Sequence, residues 1–151
     1  MQDIDEITGH IVDAAVKLHN SVGPGLLESV YESVLAGRLR RLGLAVQQQK
    51  SIDVELDEMT FKAAFRVDLL IEDTVIVEIK SIEHLAPVHT KQLVTYLRVM
   101  NLPVGLLINF GAPLLRTGIR RVVNGYKPSA FSRLRVNRTP EQPAQDVQEK
   151  R

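Results

Sequence analysis

The chain has 151 residues, 44% hydrophobic and 25% charged, enough for one domain that buries roughly two thirds of its unfolded surface. It has no cysteine, which excludes disulfides and thiolate zinc sites and leaves oxygen or histidine ligands for any metal, a set suited to hard cations. The net charge of +1 hides an asymmetry: residues 1–83 carry 15 acids and 8 bases, whereas residues 84–140 carry 9 bases and no acid. That basic segment (Lys91, Arg98, Arg116, Arg120, Arg121, Lys127, Arg133, Arg135 and Arg138) suits a polyanion, because neutralised phosphates release counterions. A solvated basic face would read the same way. The opening MQDIDEITGH lacks the basic and apolar stretches of a signal peptide, and no apolar run approaches the ~18 residues of a membrane span. A cytoplasmic protein with no membrane contact is expected, and a homo-oligomer is compatible with this.

Ile4, Ile7, Ile11, Ala14, Ala15 and Leu18 follow helical spacing and predict an amphipathic helix over 4–20, broken by Gly23-Pro24-Gly25. A second helix over 26–42 places Tyr31, Leu35, Leu39 and Leu42 on one face and ends on Gly43. Ile52, Val54 and Leu56 alternate with acids as a half-exposed strand would. A strand around Phe61–Ile71 and a second over Thr74–Lys80 then form a hairpin across an acidic turn. Pro87 starts a helix to about Met100, Pro103 prevents its continuation, and Val104–Phe110 reads as a buried strand. Residues 118–123 fit a short strand or a helical turn equally. From Lys127 onward the chain is polar, aperiodic and holds three of the seven prolines. The expected organisation is therefore a domain over 1–126 and a flexible tail over 127–151. The order α-α-β-β-β-α-β predicts an α/β fold, a mixed sheet flanked by helices.

Glu78 and Lys80 lie two apart, so on a strand they share one face while Val75, Val77 and Ile79 take the other. Charges inside so apolar a strand are costly unless paired or bound to metal, although a salt bridge at a strand end would also serve. A two-residue hairpin loop sets residue 71 opposite 74 and leaves Asp68 and Glu78 on opposite faces. A three-residue or bulged loop sets 71 opposite 75, Asp68 opposite Glu78 and Arg66 opposite Lys80. Opposed carboxylates repel unless a cation lies between them, and two carboxylates plus waters is a common protein share for Mg²⁺, so the second register is expected. Glu28 projects within about 60° of its helix's apolar stripe and is expected to face the core or a cleft, with Glu32 near the stripe's edge. An acid at a helix N-terminus favoured by the macrodipole explains Glu28 as well. Gln92 and Tyr96, one turn apart with His89 and Val99 in the same row, predict a helix face turned to a wet cleft. An ordinary surface helix would look similar, and a lone His89 is a weak candidate ligand.

Gly25-x-x-Glu28-x-x-Tyr31, Asp68, Glu78-x-Lys80 and Gln92-x-x-x-Tyr96, in this order, resemble the GxxExxY family, a branch of the PD-(D/E)XK nuclease superfamily, over residues 5–125. The Gln92–Tyr96 spacing is also similar to the motif that follows the active site in RecB-type nucleases. Val67 stands where the superfamily's Pro precedes the Asp. The resemblance implies a restriction-endonuclease-like core and a nuclease that hydrolyses phosphodiester bonds of nucleic acid, with DNA as the expected substrate. It implies that Asp68, Glu78 and the Ile79 carbonyl hold Mg²⁺ or Mn²⁺, that Lys80 assists the chemistry, and that Glu28 completes the acidic pocket, binding the ion through water or helping to place a second one. Gln92 and Tyr96 would contact the nucleic acid or fix Lys80, while Lys91, Arg98, Arg116, Arg120 and Arg121 would track its backbone. The absence of Trp and only 5% aromatics argue for little sequence preference. The alternative is a non-catalytic nucleic-acid-binding or protein-interaction module that keeps the fold.

Overall fold

The computed structural model describes residues 2–125 and the backbone of residues 135–137. The rest of the segment expected as a tail, with Lys127, Arg133 and Arg138, lies outside the described residues. The elements are α1 (Ile4–Val22), α2 (Glu28–Arg41), β1 (Val46–Leu56), β2 (Met59–Ile71), β3 (Val75–Lys80), α3 (Pro87–Met100), β4 (Val104–Asn109), β5 (Ile119–Val123) and the short β6 (Arg135–Asn137). Residues 118–123, open from the sequence, divide between a 3-10 turn over Leu115–Gly118 and β5.

The strands form one sheet in the order β5-β4-β3-β2-β1-β6. Among the described residues only β3 and β4 pair in parallel, across the crossover helix α3; the other pairs are antiparallel. On one face, α1 and α2 bury Ile7, Ile11, Leu18, Tyr31, Leu35 and Leu39 against Leu69, Val75, Val77, Ile79, Leu106 and Ile108. On the other, α3 buries Leu93, Leu97 and Met100 against Leu70, Ile76, Leu107 and Val122. Burial of these side chains, at roughly 1.5–3 kcal/mol each, holds both helical layers to the sheet. Leu42 does not continue the α2 stripe: it is the C-cap residue and is 56% exposed. Gly43 follows it at φ 90°, a conformation that glycine takes without steric cost.

Three residues, Glu72, Asp73 and Thr74, connect β2 to β3, and Ile71 pairs with Val75 as the odd register requires. The ladder ends at Leu69–Val77, so Arg66 and Lys80 are not ladder partners. One step further the strands separate, and this opening holds the site. A second irregularity meets it from the other side. In the β1–β2 ladder Gln48 pairs with Leu69 and Lys50 with Val67, while Gln49 and Asp68 between them are unpaired and Gln49 has φ 50°. The alternation of side chains reverses there: Leu69 faces the α1/α2 layer, whereas Val67 and Ile52 face α3.

Candidate active site

Where β2 and β3 part, their backbone groups are satisfied by the carboxylates themselves. The Asp68 amide donates to Glu78 Oε2 at 3.0 Å, and the Ile79 amide donates to Asp68 Oδ2 at 2.7 Å. A strand residue presents its N–H and C=O to the same side, so the Ile79 carbonyl opens into the same gap. Glu78 lies beside Leu107 in the parallel ladder and therefore on the α3 face, and it is only 7% exposed. Burial, and next the charge of Asp68, push its carboxyl up to about 8. The Asp68 amide and Lys80 act in the opposite direction, and Glu32 adds to the rise.

Tyr96 reaches the gap from α3. Its ring stacks on Phe65 of β2 with centroids 4.1 Å apart and planes 6° from parallel. Its hydroxyl pKa is raised by desolvation and then by the charges of Glu78 and Asp68. Gln92, one turn earlier, is exposed. His89 caps its own helix, its Nδ1 accepting the Ala86 amide at 2.9 Å.

The two acids of α2 exchange the places expected of them. Glu28 is exposed rather than in the apolar stripe, and its Oε2 accepts the Ser81 amide at 3.1 Å. Ser81 Oγ in turn donates to the Leu26 carbonyl at 2.7 Å. The Tyr31 hydroxyl donates to the Gly23 carbonyl and accepts the Leu26 amide, while its ring stacks on Phe110 at 4.3 Å. Tyr31 thus ties the α1–α2 loop together, and Glu28 and the Leu26 carbonyl fasten it to Ser81, the residue that follows Lys80. Glu32 is the buried acid: its Oε1 accepts Gln49 Nε2 at 2.7 Å and its Oε2 accepts Gln48 Nε2 at 3.1 Å. The Gln49 amide also reaches Asp68 Oδ1 at 3.2 Å.

Asn109, beside Lys80 in the β3–β4 ladder and 2% exposed, secures the loop after Lys80 from beneath. Its Oδ1 accepts the amides of Ile82 and Gly111, both at 3.0 Å, and its Nδ2 donates to the Ile82 carbonyl at 2.9 Å. Glu32, Gln48, Gln49, Phe65 and Asn109 were not singled out from the sequence. Only the position of Glu32 near the α2 stripe gave a signal for any of them.

Among the described residues the basic side chains do not form one cluster. Lys91, Arg116, Arg120 and Arg121 are exposed and Arg98 is half-buried. Cross-strand partners share a face: Arg120 lies opposite Leu107 on the α3 side, and Arg121 opposite Leu106 on the α1 side. Arg121 is held there by Asp5 at 3.1 Å and Thr8 Oγ1 at 3.0 Å.

Among the described residues no group of three or more His, Cys, Asp or Glu side chains is arranged to hold a metal ion. The donors in the gap are two carboxylates and a carbonyl, all oxygen, which fits a hard divalent cation that keeps several of its waters. Among the described residues no helix is long and apolar enough to cross a membrane.

A family model described as the PD-(D/E)XK nuclease superfamily matches residues 5–122. No curated protein and no solved structure matches the chain.

Proposed function

Because the chain belongs to the PD-(D/E)XK nuclease superfamily, we propose that it hydrolyses phosphodiester bonds of nucleic acid, DNA foremost, at the gap between β2 and β3. The observation that carries this reading is the convergence of Asp68 and Glu78, each fixed by an amide of the opposing strand, with Lys80 close enough to lower the pKa of Glu78. Two acids forced together in a half-closed site, one at the expense of its ionisation, match a site built for a cation.

Asp68, Glu78 and the Ile79 carbonyl would hold Mg²⁺ or Mn²⁺. When bound, the ion supplies charge neutralisation at the phosphate and acidifies water for attack on phosphorus. Lys80 shares the face of Glu78 and donates to the oxygens on which charge develops as the P–O bond breaks. Tyr96 offers a hydroxyl from the opposite wall, held in place by its stack on Phe65. Glu28 acts through the loop, bonding Ser81 and so fixing the strand end that carries Lys80. Gln92, Lys91, Arg98, Arg116 and Arg120 contact the sugar-phosphate backbone, where binding is insensitive to sequence. The test is incubation of purified protein with linear and circular, single- and double-stranded DNA and RNA, with Mg²⁺ or Mn²⁺ and with EDTA. Metal-dependent cleavage that EDTA stops is expected; metal binding without cleavage of any substrate would favour a binding module.

A further inference from the structure

Asp68 depends on a residue two strands' width from Glu78. Gln49 is an interior β1 residue at φ 50°, a left-handed conformation that a glutamine adopts only against a steric cost. The backbone departs from the ladder at this residue and its partner Asp68, and the outcome is that one side-chain amide reaches two carboxylates, Glu32 at 2.7 Å and Asp68 at 3.2 Å. An NH₂ group has two hydrogens, so Gln49 Nε2 is saturated by these bonds. Gln48 satisfies the other oxygen of Glu32 at 3.1 Å, so this buried carboxylate is met by two neutral amides.

We propose that Gln49, anchored by Glu32, is a positioning residue that holds Asp68 in its metal-binding orientation. Asp68 is then fixed at both oxygens, Oδ2 by the Ile79 amide and Oδ1 by Gln49, and cannot rotate away. A neutral donor suits this task better than Lys or Arg would, because it orients the carboxylate without cancelling the negative charge that attracts the cation. Glu32 fixes the amide and leaves the pocket more negative. Residues that orient a metal ligand in this way typically contribute ten-fold or more to affinity.

This inference rests on the metal-dependent reading above, and one set of calorimetric Mn²⁺ titrations separates the two. The proteins are wild type, Asp68→Ala, Gln49→Gly, Glu32→Gln and the Gln49→Gly/Glu32→Gln double variant, each melted without metal beforehand. Gln49→Gly relieves the left-handed backbone but takes a donor from buried Glu32, two opposed effects, so its metal-free melting temperature should fall only modestly. Its Mn²⁺ affinity should fall about ten-fold, with kcat falling and KM for nucleic acid little changed. Glu32→Gln should also weaken Mn²⁺, and the double variant should lose little more than Gln49→Gly alone, the non-additivity of residues acting in series. Gln49→Gly binding Mn²⁺ within two-fold of wild type, while Asp68→Ala loses it, overturns the positioning role and leaves the metal site standing. Additive losses in the double variant overturn the link to Glu32. Wild type that takes up no Mn²⁺ overturns both readings.

Discussion

Asp68 and Glu78 each occupy the hydrogen-bonding place that the other's strand leaves vacant: the Asp68 amide donates to Glu78 Oε2, and the amide beside Glu78, that of Ile79, donates to Asp68 Oδ2. Separation of β2 from β3 therefore leaves no orphaned amide at these two positions. The same bonds restrict both side chains, so the gap and the orientation of its acids have a common origin. Two acids are thereby left side by side, Glu78 buried and Asp68 half-buried, an arrangement that disfavours the ionisation of both together.

The pH dependence of stability should expose that conflict. Burial and the Asp68 charge raise the Glu78 carboxyl from its ordinary 4.5 to about 8. A group whose folded pKa lies above its unfolded value stabilises the fold fully below the unfolded pKa, and this contribution is lost as pH rises through the folded one. Metal-free protein should therefore lose on the order of a few kcal/mol between about pH 4.5 and 8. Glu78→Gln should flatten most of that slope. Urea unfolding in EDTA at pH 5 and pH 8 measures both; the same loss in wild type and variant would show that Glu78 is not the source. Metal affinity has the opposite sign and should rise with pH over the same range, since binding displaces the Glu78 proton.

The loop after Lys80 should be sensitive to Asn109. Asn109→Leu would strip partners from the Ile82 amide, the Ile82 carbonyl and the Gly111 amide together. Each buried group left unsatisfied costs about 1–3 kcal/mol, so a loss of several kcal/mol is expected. Gly111→Ala should be comparably harmful, because a Cβ there would lie 2.2 Å from the Ile82 carbonyl oxygen, and that neighbour is backbone. Chemical denaturation measures both, and a variant within 0.5 kcal/mol of wild type would contradict the clamp.

Salt titrations of nucleic-acid binding should distinguish Arg120 from Arg121. Arg120 shares the α3 face and the ladder row of Glu78 through Leu107, whereas Arg121 is on the α1 face, tied to Asp5 and Thr8. Arg120→Ala should weaken binding and reduce the slope of log K against log salt by about one. Arg121→Ala should leave the slope alone and change stability by no more than about 1 kcal/mol, as an exposed ion pair does. Equal changes of slope would mean that both faces touch the nucleic acid.

The register of the hairpin was legible from the period-two placement of Asp68 and Glu78 and from the cost of opposing two acids without a cation; the loop length was not, since Thr74, expected to open the strand, completes the three-residue connection. The roles of Glu28 and Glu32 were not. On a helical wheel both lie close to the stripe of Tyr31, Leu35 and Leu39, and what separates them is non-local: the amides of Gln48 and Gln49 on β1 for one, the Ser81 amide for the other. The left-handed turn at Gln49 that brings those amides there leaves no mark in the sequence, since Gln has no special preference for it. Alternation was visible only at Ile52, Val54 and Leu56, and the strand in fact begins at Val46. The basic residues could be counted from the sequence, but adjacent positions on an edge strand face opposite ways, so Arg120 and Arg121 could not be one patch.

Lys80 provides the separation between catalysis and binding. It lies on the face of Glu78 without being a carboxylate or carbonyl donor, and its ammonium can act only on charge, at the phosphate or on the water that attacks it. Lys80→Ala should therefore leave Mn²⁺ affinity within a few-fold of wild type, and nucleic-acid affinity nearly so, while reducing cleavage by at least about 10²-fold, as loss of one transition-state donor does. Glu78→Ala should lose metal and cleavage together. Mn²⁺ should support wild-type cleavage at least as well as Mg²⁺, since both accept octahedral oxygen ligands. Calorimetry with Mn²⁺, a filter-binding titration and a single-turnover cleavage time course on the same preparations read the three properties separately. Full cleavage by Lys80→Ala would remove the ammonium from the mechanism, and parallel loss of metal and cleavage would make Lys80 part of the structure of the site rather than of its chemistry.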